Sequence, residues 1–295
     1  VTPGDATFGV AIPFHSRLDY LEEALRSLVR QDDHAWRAVV VDDASEERGA
    51  RELVDGLRDE RVTYVRNERN LGLAGNFNRC LREPGTDTVA ILHADDVLER
   101  GYVATVRAAH ARHPGAACVA PGARAIDADG RPITTIVDRV KRARWPRDPL
   151  LAGDEGLARL MHTWFVYTPA ISYRPALLPH DPFPSRWQQV MDVELFADVL
   201  LSGGEIALEP TVVYRYRRHA GTTTSANARA YTRLAEETAL AREIERRAAA
   251  AGWSRTRRAA RLRWSVRANG VVAVASGGVG GPARRAAVRD VLRPR

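Results

Sequence analysis

Apolar runs of strand length alternate with amphipathic stretches of helix length from residue 8 to residue 120, and this alternation limits the chain more than any other feature. "FGVAI" (8–12), "RAVVV" (37–41), "VTYVR" (62–66), "TVAIL" (88–92) and "ACVA" (117–120) read as buried strands. Between them, 19–31, 47–57, 73–83 and 101–112 carry helical periodicity; in the first, Leu21, Ala24, Leu25 and Leu28 share one face. Ser45 is the expected N-cap of the second helix. Strands separated by helices of about 10–15 residues predict an α/β fold with a mostly parallel sheet covered on both faces. In such sheets ligands bind beyond the carboxyl ends of the strands. The polar residues after each strand are therefore the first candidates for chemistry.

After the first strand comes "PFHSR" (13–17), which lacks the glycines of a dinucleotide turn; no GK[ST] occurs anywhere. After the second stand Asp42 and Asp43, which can accept hydrogen bonds from a ribose hydroxyl or a base N–H, or cap a helix. After the third, Asn70, Gly72 and Gly75 form a turn and a helix start that can meet phosphate or base edges. After the fourth comes "HADD" (93–96), a histidine followed two residues later by adjacent carboxylates. Carboxylates at a buried strand end repel one another and attract a cation, and with substrate phosphates they suit Mg²⁺ or Mn²⁺. The bland alternative makes Asp95 or Asp96 a cap for the helix that runs through Tyr102.

Beyond 120 the alternation breaks. Residues 121–190 are Pro-rich with scattered aromatics, 190–204 reads as a helix ending at glycines, and 205–219 as paired short strands. The rest is Ala/Arg helix interrupted by "SGGVGGP", a hinge rather than a phosphate loop because no strand precedes it. Charge divides along the same line: 226–295 hold sixteen Arg against four Glu and one Asp, so the net +7 of the chain leaves residues 1–225 mildly acidic. A basic excess confined to a tail does not describe a nucleic-acid binder. Two cysteines make neither a disulfide framework nor a metal knuckle. No apolar run approaches the roughly 18–20 residues of a membrane span. The N-terminal residues lack the pattern of a signal peptide, so a cytoplasmic location is expected, with peripheral contact at the inner membrane face as a variant.

In order and at tight spacing, "VAIPFHSRLDYLEEALRSLVRQ", "VVVDDAS", "NERNLGLAGNFNRCL" and "ILHADDVLERG" resemble the N-terminal half of a family 2 glycosyltransferase with the GT-A fold. "MDVELFADVLLSGG" and "YRYRRHAGTTTS" resemble the later segments of that family, so the resemblance covers about residues 7–225. It implies a Rossmann-like central sheet flanked by helices, followed by a C-terminal helical tail. Residues 1–122 would form the donor-binding half, 123–225 the acceptor and catalytic half of the same domain, and 226–295 the tail.

The resemblance implies transfer of a sugar, with inversion, from a nucleoside-diphosphate donor of UDP, GDP or dTDP type. A divalent cation, Mn²⁺ or Mg²⁺, would assist. Pro13, Phe14, His15, Arg17, Asp42, Asp43, Asn70, Gly72 and Asp95 would bind the donor nucleotide. Asp95, Asp96 and His219 would hold the metal. Asp192 matches the catalytic base; Glu194 stands as an alternative, whereas Asp198, six residues on, points elsewhere on the helix. The departure from the family is His93, where many relatives carry Asp: its imidazole could bind metal, hydrogen-bond ribose or simply end the strand. Trp164, Tyr167, Tyr173 and Trp187 could stack on an acceptor, and Arg174 could contact its polar groups.

The acceptor would be a secondary metabolite or a cell-surface glycan. The arginine-rich composition, with Lys141 the single lysine, favours a bacterial source. The basic tail would pack on the acidic body, lie on an anionic membrane or form a homodimer contact. Two other functions compete. A non-catalytic GT-A-like scaffold would explain His93 but leave Asp95, Asp96 and Asp192 unused. A sugar nucleotidyltransferase would want a glycine- and lysine-rich loop where "PFHSR" stands.

Overall fold

A computed structural model describes residues 8–219 and 232–262. Strands β1 (Phe8–Phe14), β2 (Trp36–Asp42), β3 (Val62–Arg66) and β4 (Thr88–Ile91) run parallel in the order β3-β2-β1-β4. The two-residue β9 (Ser172–Tyr173) continues the sheet, antiparallel to β4 on one side and to β6 (Ala116–Ile126) on the other. Beyond lie β10 (Glu205–Arg217), parallel to β6, and β5 (Val97–Leu98). β7 (Pro132–Ile133) pairs with β6 and β8 (Leu150–Ala152) with β10.

The apolar runs are continuous because successive residues serve two cores. Val10, Ile12, Val40 and Ala90 face one, with α1 (Leu18–Val29), α2 (Ala50–Gly56) and α4 (Tyr102–Arg112). Ala11, Val39, Val41, Val89 and Ile91 face the other, with α3 (Gly72–Arg82), α6 (Gly153–His162), α7 (Met191–Leu201), α8 (Thr232–Ala250) and α9 (Ser254–Leu262). Gly9 is required by this packing, since a Cβ there would lie 2.4 Å from Thr86 Oγ1 and 2.5 Å from Pro84 Cβ.

Three expectations are corrected. The stretch 205–219 contains one thirteen-residue strand rather than a pair. Pro210 sits where the β6–β10 register shifts between Glu209 and Val212, so the strand passes through it. The strand expected at 117–120 runs on to Ile126, because Gly122 lets the backbone of β10 approach: a Cβ there would be 2.7 Å from Pro210 O. Ser45 does not cap α2. Gly49 holds the N-cap position with a φ of 107° that an L-residue avoids, while Ser45 N and Oγ both donate to Asp42, at 2.7 and 3.1 Å.

The described part of the tail packs on the body. Leu240, Ala241 and Ile244 of α8 join the core. Arg247 pairs with Asp198 at 2.6 Å and Arg255 with Glu155 at 2.7 Å. Asp154, at the start of α6, accepts from Arg255 N at 3.0 Å and Thr256 N at 2.7 Å and so caps α9 from a neighbouring helix. "AGTTTS", "SGGVGGP", Trp264 and Val266 lie outside the described residues. Among the described residues no helix is long and apolar enough to cross a membrane.

Candidate active site

The carboxyl ends of β1, β2 and β4 open into a cleft of about 1040 Å³. β1 brings Pro13, Phe14, His15 and Arg17 to its wall, and the turn before α3 brings Asn70 and Gly72. Arg17 takes a left-handed φ of 72° and precedes α1, whose first amide, Leu18 N, donates to Glu47 at 3.2 Å. Its guanidinium pairs with Asp19 at 2.7 Å and covers the Tyr20 ring.

The two adjacent acidic pairs divide in the same manner. Asp43 lines the cleft, its Oδ1 accepting from Asn67 Nδ2 at 2.6 Å and Leu71 N at 2.7 Å. Asp42 lies outside it. Its carboxylate accepts from Ser45, from Tyr64 OH at 2.5 Å and from Arg66 at 2.7 Å, an arrangement that braces the strand end. Asp95 lines the cleft and its Oδ2 lies 3.1 Å from His219 Nε2. Asp96 is fully buried and accepts from Tyr214 OH at 2.8 Å and Arg217 N at 2.7 Å, tying the loop to β10. Burial, then the neighbouring Asp95 charge, push the Asp96 carboxyl well above the usual range. Neither aspartate caps α4, which has no side-chain cap.

Arg217, itself 1% exposed, closes this corner through Asp95 O at 2.7 Å, Ala128 O at 2.9 Å and Glu23 Oε2 at 2.5 Å. His93, just past the strand end, packs against the Phe77 ring, 5.3 Å between centroids, and burial, opposed by the Asp95 and Asp192 charges, lowers its pKa.

One nitrogen or oxygen from each of His93, Asp95 and Asp96 lies within 4.8 Å of the others. This donor set fits a divalent cation, and imidazole beside carboxylate suits Mn²⁺ better than Mg²⁺. Of the two carboxylates Asp95 is the more open, because Asp96 is already committed to Tyr214 and Arg217.

Across the cleft, α7 presents Asp192 at its first turn. Its Oδ2 accepts from Thr168 Oγ1 at 2.5 Å and its Oδ1 from Val193 N at 2.9 Å. Burial raises its pKa, opposed by these two donors and by the Arg233 charge. Its rivals are spent elsewhere: Glu194 is buried against Arg186 and the Trp187 indole N–H, and Asp198 pairs with Arg247.

Of the aromatic candidates, Trp164 and Tyr167 line the cleft. Trp164 packs on Phe196, and the Tyr167 hydroxyl donates to Asp138 at 2.6 Å. Tyr173 reaches the cleft wall but is 3% exposed, its ring packed edge-on against Phe183. Arg174 and Trp187 lie outside the cleft, because Arg174 turns toward His110 O behind the sheet and Trp187 is drawn to Glu194.

Lys141, Arg218, Arg233 and Glu237 also line the cleft, and sequence reasoning gave none of them a role. Lys141 donates to Val166 O at 2.8 Å over the Tyr167 ring; burial, then the charges of Arg218 and Arg233, lower its pKa to about 8. Arg218 sits one residue before His219 on the strand end of β10, a signal that reading could have used. Arg233 comes from α8, and nothing local in the tail predicts its position.

Residues 9–171 match the family model described as glycosyl transferase family 2. The chain is 27% identical over 219 residues to the succinoglycan biosynthesis protein ExoO of Rhizobium meliloti, covering 74% of this chain and 62% of that one. Other curated relatives are matched over only about a third of their own length. In fold the chain is similar to S. aureus TarS in complex with UDP-GlcNAc, with TM-score 0.62 and 20% identity over 81% of this chain and 66% of that one. It is also similar to the mannosyltransferase PcManGT of Pyrobaculum calidifontis in complex with GDP-Man and Mn²⁺, with TM-score 0.54 and 16% identity over 95% and 77% of the two chains. The sheet, its helices and these likenesses are those of the GT-A fold, and the chain belongs to glycosyl transferase family 2.

Proposed function

We propose that the protein transfers a sugar, with inversion, from a nucleoside-diphosphate donor to a hydroxyl of a cell-surface glycan. One observation carries the reading: Asp192, held by Thr168, lines the same cleft as the strand-end residues Asp43 and Asp95. The glycan acceptor is supported by the name of ExoO, and the donor class and metal by the ligands of TarS and PcManGT.

In this reading residues 1–122 seat the donor, with Pro13, Phe14, His15, Arg17 and Asp43 around the nucleotide. Residues 123–225, joined by Arg233 of the tail, face the acceptor. Asp95 and His93 would hold the cation, with His219 orienting Asp95 and Asp96 bracing the loop. A bound Mn²⁺ would supply Lewis-acid neutralisation of the leaving diphosphate.

The chain's own step is proton transfer. Asp192 takes the acceptor proton as that oxygen bonds to the anomeric carbon, and the carbon–phosphate oxygen bond breaks on the opposite side. Calorimetric titration of UDP, GDP and dTDP, with and without Mn²⁺, tests the donor site. Metal-dependent binding of one nucleotide, lost in Asp95→Ala, is expected. Absence of binding by any of the three nucleotides would overturn the reading.

A further inference from the structure

Helix α5 (Ile136–Arg144) is built inside out. Only Asp138 of its nine residues is buried, whereas Ile136 is 79% exposed, Val137 51% and Val140 45%. Spacing places Ile136, Val140 and Ala143 along one face and Asp138 on the opposite side. Polar bonds rather than apolar packing hold the helix to the body. Thr135 and Asp138 form a capping box, and Asp138 also binds Tyr167 OH at 2.6 Å and Arg218 at 2.7 Å. Lys141 reaches inward to Val166 O.

The outward apolar face is flanked by cations. On α5 and just beyond it stand Arg139, Arg142, Arg144 and Arg147, while Asp138, the single anion of the helix, is already paired with Arg218. Val137 and Lys141, on the adjoining side of the helix, belong to the cleft wall, so α5 stands at its mouth.

We propose that α5 and its basic flanks dock the protein on an anionic lipid surface, bringing the mouth of the cleft to the bilayer. Three aliphatic side chains are too few for a stable protein interface, which buries about 800 Å² per partner. They are enough for a helix lying in the headgroup plane, where a shallow apolar stripe inserts and Arg side chains meet lipid phosphates. The exposed Arg139 and Arg144 stand one on either side of that stripe, the positions its border requires.

The test is flotation of the full chain with vesicles of equal parts phosphatidylglycerol and phosphatidylcholine, against phosphatidylcholine alone. No sugar nucleotide is present, so the outcome is independent of the proposed reaction. The wild type is expected to float with the anionic vesicles only. Ile136→Ser/Val140→Ser should weaken that binding about tenfold through lost insertion, and Arg139→Gln/Arg144→Gln should remove the preference for anionic lipid. All four side chains are exposed, so melting temperatures should not change. If the serine pair melts early, the glutamine pair decides. A wild type that does not float, or variants that float as it does, would overturn the proposal. So would a serine variant that binds vesicles normally but changes the sedimentation mass, which would make this face a contact between copies.

Discussion

Asp192 and Thr168 show how one hydroxyl tunes a buried carboxylate. Burial raises the Asp192 pKa and the Thr168 hydrogen bond lowers it. Under the proposed mechanism the base must be ionised, so activity falls as pH drops through that pKa. Thr168→Val should therefore move the acid limb of the kcat profile to higher pH, and an unmoved limb would deny Thr168 this role. Asp192→Asn should reduce kcat by about 10²–10⁴ while nucleotide affinity, read by calorimetry, stays near that of the wild type.

Lys141 behaves oppositely in sign. Its folded pKa of about 8 lies below the ordinary 10.5, so between those values the unfolded chain binds more protons and stability rises with pH. Thermal melts across that window should show the rise in the wild type and lose it in Lys141→Met.

At the scale of elements, the parallel strands and their helices were legible because each strand is a short apolar run closed by polar residues. β5 and β9 are two residues each and leave no periodicity to read. β10 was misread as a pair because proline signals a turn unless a partner strand absorbs it as a register shift. Helix α9 depends on a cap from outside its own segment. Asp154→Ala should cost about 1 kcal/mol in denaturant unfolding, as loss of an N-cap does, although Asp154 precedes α9 by a hundred residues.

For the molecule as a whole, the described part of the tail is part of the core. Leu240 is 1% exposed and Ile244 0%. Leu240→Ala should lower global stability by about 2–5 kcal/mol and leave a single unfolding transition. An early separate transition would mean that α8 is an appendage.

The sequence alone determined the alternating architecture and which strand ends carry carboxylates, because both follow from local periodicity. It could not determine which member of each acidic pair serves the cleft. Asp42 and Asp96 are turned into buried bonds with Tyr64 and Tyr214, Asp43 and Asp95 toward the opening, and only strand register and twist decide between adjacent residues. Arg233 reaches the cleft for a similar reason: its ion pair with Glu237 is local to α8, but only the docking of that helix brings it to the cleft wall.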